Sequence, residues 1–293
     1  MTIWNLKSKD AKIKKANEEL IRCIDMELVG GALKCLDDGA DANAKDRYGA
    51  TALIVAARKN QQGEMIRMLL DRGADIESRG VNGITALMGA ADFGQNENME
   101  MLMSRGASVE AKDSNGWTAL MHATVKSRIK AAELLLDRGA DIKTTDIAGC
   151  NLLMRLEKLP PGTEMGKMLI SRGADVNAKD DNGDTTLMNA AAYGNLDVVR
   201  LLLESGAEIN VKNEMGQTAL MSAMRFGSNR AVVELLIDKG ANFEDKQIFD
   251  DEAIAGGMRE FIEDLLAKRK MVGQNRSEAV DEIVDELNGD MGM

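Results

Sequence analysis

The chain has 293 residues, enough for one large domain or two ordinary ones, and 44% of them are apolar but only 3% aromatic. A single compact core of that size draws on more Phe, Tyr and Trp, so many small, similar layers are expected instead. A net charge of −11 argues against non-specific binding to nucleic acid or to an anionic membrane.

The chain opens on "MTIWNLKSKDAKIKK", a basic arm (residues 1–15) with five Lys against one Asp. It lacks the apolar centre of a secretory signal, and no apolar run approaches the ~18 residues of a membrane span, so a cytoplasmic protein is expected. The following "NEELIRCIDMELVGGALKCLDDGA" reads as two short amphipathic helices that cap an array over residues 16–270. Gly-Ala plus a polar residue then recurs at Gly39, Gly73, Gly106, Gly139, Gly173, Gly206 and Gly240, always 33 or 34 residues apart. A second phrase keeps step: "GATAL" from Gly49, "GITAL" from Gly83, "GWTAL" from Gly116, "GDTTL" from Gly183 and "GQTAL" from Gly216. "GCNLL" from Gly149 is a degenerate copy, and its period places Pro160 and Pro161 between its helices. That reads either as a tolerated insertion or as a local bend. "FDDEAIAGGMREFIEDLLAKRK" is a worn final helix pair, the polar cap that a terminal repeat needs. Residues 271–293 form an acidic tail, in which Ser277 can cap a short helix with Val280, Ile283, Val284 and Leu287 on one face.

Each period reads as one physical unit. Thr51, Thr85, Thr118, Thr185 and Thr218 can each cap a short Ala-rich helix with a hydroxyl. A second, Leu-rich helix follows, and the Gly of Gly-Ala ends it in the left-handed conformation. The next stretch, as in "ADVNAKDDNGD", has the Asn-Gly and Asp-Gly content of a tight β-hairpin. Such a unit cannot bury its own apolar face without neighbours.

This pattern closely resembles the ankyrin repeat. The resemblance implies an all-α fold with short β-hairpins, an ankyrin-repeat α-solenoid whose first helices line a concave face. It also implies a function of binding other macromolecules, usually proteins, rather than catalysis. The chain departs from the family where Thr-Pro-Leu-His becomes Thr-Ala-Leu followed by Met88, Met121 or Met221, with Ile54 and Met188 in the same slot. A thioether there can fill the gap by packing and adds no polar group.

No constellation for chemistry emerges, and neither a cofactor nor a metal is expected. His122 is the one histidine and reads as a surface or groove residue rather than a base. Cys23, Cys35 and Cys150 form no CxxC pair and read as reduced thiols. The glycines are periodic because helices end there, and no phosphate-cradling motif occurs.

Function is sought at the positions that vary between repeats. The family resemblance places the partner-facing residues around the hairpin Gly and near the end of each first helix. Those thirty positions hold five of the nine aromatics, namely Tyr48, Phe93, Trp117, Tyr193 and Phe226. Phe93, Tyr193 and Phe226 either contact a partner or pack on their own hairpins. Trp117 takes a slot filled elsewhere by Ala50, Ile84, Cys150, Asp184 and Gln217, which reads as an exposed slot whose truncation is nearly neutral for stability. Arg58, Lys59 and Lys126 give the first half of the face a basic balance, which suits a protein partner acidic at one end. The alternative is an anionic small molecule or nucleotide stacked on Trp117 with Lys59 and Lys126 on its phosphate.

Overall fold

Thr51, Thr85, Thr118 and Thr218 each accept the backbone N–H three residues on, at 3.4 Å. These caps start the first helices of the repeats, each contributing about 1 kcal/mol. In the computed structural model, residues 3–59, 63–158, 163–227, 229–242, 260, 261, 264 and 265 are described. They fall into two compact units, Met1–Thr186 and Leu187–Met293. Pro160 and Pro161, most of the C-terminal cap and the whole acidic tail lie outside the described residues.

In the first unit α1 (Ile3–Asp25) and α2 (Val29–Asp37) precede the repeats. The helix pairs α3 (Ala52–Ala57) with α4 (Glu64–Asp71), α5 (Ala86–Phe93) with α6 (Asn96–Ser104), and α7 (Ala119–Val125) with α8 (Ile129–Asp137) follow. The last pair is a 3-10 helix, Leu153–Lys158, with α9 (Thr163–Ser171). α1, α3, α5, α7 and the 3-10 helix pack in sequence as one row, and α2, α4, α6, α8 and α9 as a second. The second unit holds α10 from Thr186 to Ala192, α11 (Leu196–Glu204), α12 (Ala219–Ser222) leading into a π turn, Ala223–Gly227, and α13 (Arg230–Asp238).

α1 is longer than the sequence suggests, since it runs without a break through most of the basic stretch. The first-helix row is close-packed because its contacts are small: Ala52, Ala56, Ala86, Ala90, Ala119 and Ala123 are all buried. The methionine slot behaves as expected: Met88, Met121, Met188 and Met221 are buried, as is Ile54 in the corresponding position. Met88 does more than fill space, because its thioether Sδ accepts the Thr85 N–H at 3.4 Å. In the fourth repeat Asn151 replaces the capping Thr and its Oδ1 takes the Met154 N–H at 2.9 Å. Leu152, Leu153, Met154 and Leu156 then fill the space that paired alanines occupy elsewhere, and a tighter 3-10 turn results.

The expected hairpins are reduced to their tips. Only single antiparallel bridges form among the described residues, at Lys45 with Thr51 and at Lys179 with Thr185. Each tip is closed instead by one backbone bond across five residues, such as Asp113 N–H to Trp117 O at 3.0 Å. One side chain satisfies the amides inside. Asp113 Oδ1 accepts from Asn115 and Trp117, Asp146 Oδ1 from Ala148 and Cys150, and Asp180 Oδ1 from Asn182 and Asp184. Asp46 and Asn213 serve Tyr48, Ala50, Met215 and Gln217 in the same way. Successive tips then bond to each other, Ser114 N–H to Asn82 O and Ile147 N–H to Asn115 O. That approach needs glycine at 116, where φ is +76° and a Cβ would lie 2.9 Å from Ile147 N.

Repeats are also tied along the second helices. Asn98, 2% exposed, donates to the Ala57 and Lys59 carbonyls and accepts the Gly63 N–H. Arg72 pairs with Asp37, Arg105 with Asp71 and Arg172 with Asp137 at 2.7–2.9 Å, all on open surface where each pair contributes about 1 kcal/mol or less.

Asn213 shows that an amide oxygen can do the work of the tip carboxylate. Asp180→Asn is therefore expected to stay within about 0.5 kcal/mol of the parent. Asp180→Ala strips the acceptor from two N–H groups and is expected to cost about 1–2 kcal/mol. Urea midpoints of the two variants check this, and equal midpoints would remove the tip acceptor from the account.

Candidate functional site

Tyr48 stands on the first tip, 66% exposed, with the Arg47 guanidinium 4.7 Å from its ring centroid. Phe93 ends α5 and is 49% exposed; in the second unit Tyr193 follows α10 and is 57% exposed. The side chain of Phe226 lies outside the described residues. Lys126 caps the C-terminal end of α7 and points into solvent. The tips add apolar groups that the aromatic count passed over, Val81 and Ile147 in the first unit and Met215 in the second, each more than half exposed. Their signal was available, since all three sit one or two residues before a tip glycine.

The basic residues are less free than the sequence suggests. Lys59 Nζ is 2.7 Å from Asp25 Oδ1, a carboxylate of α1 that a count of repeat positions alone leaves out. Arg58 is half-buried along α5, close enough that a Cβ at Gly89 would touch its Cγ and Nε at 3.4 Å. Of the expected basic residues, Lys59 is thus paired from within and Arg58 is only partly open.

Trp117 and His122 require correction. His122 is buried, 9% exposed, and not a surface residue. Its Nε2 is 3.1 Å from Asp113 Oδ2 and its Nδ1 is 3.7 Å from Asp92 Oδ1. A carboxylate only accepts, so the Asp113 contact assigns a proton to Nε2. Trp117 is half-buried, packs edge-on against His122 at 5.5 Å, and donates from Nε1 to Asp146 Oδ2 at 3.3 Å. Arg155, ion-paired with that same Asp146, lies 5.6 Å from the indole centroid. The slot accepts varied residues because it lies at the seam between two tips, where Ala50 and Cys150 are buried and Ile84, Asp184 and Gln217 half-buried. Variety there does not mean exposure.

Asp92 is held by the same cluster. Burial pushes its carboxyl up, but the neighbouring His122 imidazole and the charges of Lys126 and Arg58 outweigh this and leave it below its ordinary value. The arrangement binds α5, α7 and two tips together. Carboxylates of Asp92, Asp113 and Asp146 line the imidazole and indole, which disfavours an anion there.

A family model for ankyrin repeats matches residues 27–113, 77–146 and 161–247, together well over half of the chain. The chain belongs to the ankyrin-repeat family. Among solved structures, the ankyrin repeat domain of Bcl-3, a unique member of the IkappaB protein family, is similar to this ankyrin array. The two are 27% identical with a TM-score of 0.62, over 75% of this chain and 97% of that one. No curated protein matches the chain. Among the described residues of the array, no helix is long and apolar enough to cross a membrane.

Two predictions test the cluster. Trp117→Ala is expected to cost about 2 kcal/mol and Trp117→Phe about 1 kcal/mol, the first losing ring and hydrogen bond, the second only the bond. Urea midpoints within about 0.5 kcal/mol of the parent would restore a bare surface role. A depressed carboxyl contributes stability that is present above the unfolded value, about pH 4, and lost as pH falls through the folded one. Asp92→Asn should therefore be less stable than the parent at neutral pH, with the gap closing in acid. A gap that stays constant in urea titrations across that range would remove the charge from the explanation.

Proposed function

We propose that this ankyrin array is a non-catalytic binding module that holds a protein partner on its first-helix and tip side. The observation that carries this reading is the exposure of large aromatics on ordered elements, Tyr48 on a tip and Phe93 and Tyr193 at corresponding ends of first helices. Rigid aromatic side chains supply contact area at low entropic cost and are common hot spots. Val81, Ile147 and Met215 extend the apolar area at the tips, and Lys126 adds an exposed charge. The partner is acidic where it meets the first repeats, which suits Arg47 and Lys126. Cytoplasm is the setting we infer, since Cys23, Cys35 and Cys150 are buried thiols not joined in a disulfide. Trp117 and Lys59 belong to the framework in this reading, which disfavours an anionic ligand stacked on the indole.

Photo-crosslinking amino acids at Phe93, Tyr193, Arg67 and Arg200 test the proposal in cells. Arg67 and Arg200 are exposed on the second helices, α4 and α11. Discrete protein adducts are expected from positions 93 and 193 and not from 67 and 200. Adducts from the second-helix positions alone would overturn the assignment of the face.

A further inference from the structure

α1 takes the place of a first helix in its row. A cleft of about 480 Å³ opens between α1 and the first tip. Its apolar lining is Ile21, half-buried, and Val55, 8% exposed, with Tyr48 at the rim. That volume suits one or two side chains, so it fits a linear segment rather than a folded surface.

The charges decide the chemistry of that segment. Of the acids near the cleft, Asp25 is bonded to Lys59, and Asp46 Oδ1 accepts the Tyr48 and Ala50 N–H groups. Glu19 holds Arg22, at 3.0 Å from its Nε. Glu18 is left exposed. Against the charges of Glu18 and Asp46 stand Lys45 and Arg47 on the rim, with exposed Lys12, Lys14 and Lys15 further along α1. None of these five has a carboxylate within ion-pair distance among the described residues. A chain of net charge −11 thus carries a positive patch beside its apolar cleft.

We propose that this cleft binds an acidic linear segment of the partner, with one apolar or aromatic side chain seated between Ile21, Val55 and Tyr48 and flanking carboxylates on Lys45 and Arg47. The inference rests on the protein-binding reading above and assigns its acidic end to one place. A guanidinium already lying over Tyr48 presents the ring and the charge together, so a carboxylate next to the anchor meets both.

Fluorescence anisotropy with the full chain tests it, using a labelled short peptide of Glu residues around a central Trp. The same peptide with Gln for Glu is the charge control, and phosphatidylserine vesicles are the lipid control. The Glu peptide is expected to bind, and to weaken with added salt. It should lose about tenfold or more in affinity with Lys45→Glu/Arg47→Glu, and again with Tyr48→Ala. Arg67→Glu/Lys130→Glu, the same charge change on exposed second-helix positions, is expected to bind as the parent does. Unchanged far-ultraviolet circular dichroism confirms that each variant is folded. The proposal is overturned if the Glu peptide does not bind, if the Gln peptide binds equally, if both double variants lose the same affinity, or if vesicles compete the peptide away. Crosslinks at 93 and 193 that persist beside a failed peptide would sink the cleft alone. Their absence sinks the broader reading whatever the peptide does.

Discussion

A backbone segment that turns sharply without a strand partner must find acceptors for its own amides. In this chain one side chain per repeat provides them. Asp46, Asp113, Asp146, Asp180 and Asn213 each take two N–H groups with a single oxygen. In three repeats the second oxygen is then free to work sideways. Asp113 reaches His122, Asp146 reaches Trp117 of the preceding repeat, and Asp180 receives the Cys150 thiol at 3.8 Å. At Asp146 and Asp180 the shape of a tip and its attachment to the preceding repeat thus depend on the same carboxylate. The second repeat is the exception, with Gly80 in that place. There Arg79 donates to the carbonyls of Gly83 and Lys112 and ties the tip forward by another route.

The period, the threonine caps and the buried methionine slot were legible in the sequence because each rests on contacts within one repeat or on a repeated spacing. What escaped depends on which side chain comes to lie beside another some thirty residues away. Lys59 looked free because its partner, Asp25, belongs to a helix outside the repeat pattern. Trp117 looked exposed because its slot is chemically permissive, yet the permissiveness comes from a seam that can be filled by a ring, a thiol or a methyl. Asn98 gave no signal at all. A polar residue in an amphipathic helix reads as solvent-facing until the helix ends it serves are placed beside it.

For recognition, the consequence is a division of labour among similar-looking residues. Nearest the helix row, Lys59 is bonded to Asp25, Trp117 to Asp146 and His122, and His122 to Asp113 and Asp92, so these charges and rings stiffen the junctions between repeats of the first unit. Groups that project beyond them in that unit, Tyr48, Phe93 and Lys126, are held on that stiffened frame. Contacts made by preorganised side chains lose less entropy on association, so a few exposed residues can suffice.

The ties between repeats share one further property. Asn43 bonds to Gly73 across 30 residues, Arg105 to Asp71 across 34 and Asn98 to Ala57 across 41, so each closes a loop about one repeat long. The entropy of loop closure depends weakly on length, and here it is nearly the same at every step. No step waits for distant ends of the chain to meet. A polypeptide built in this way can consolidate as it leaves the ribosome, each new repeat settling on the one before it. Its folding time is then governed by the addition of units rather than by a search across the whole chain.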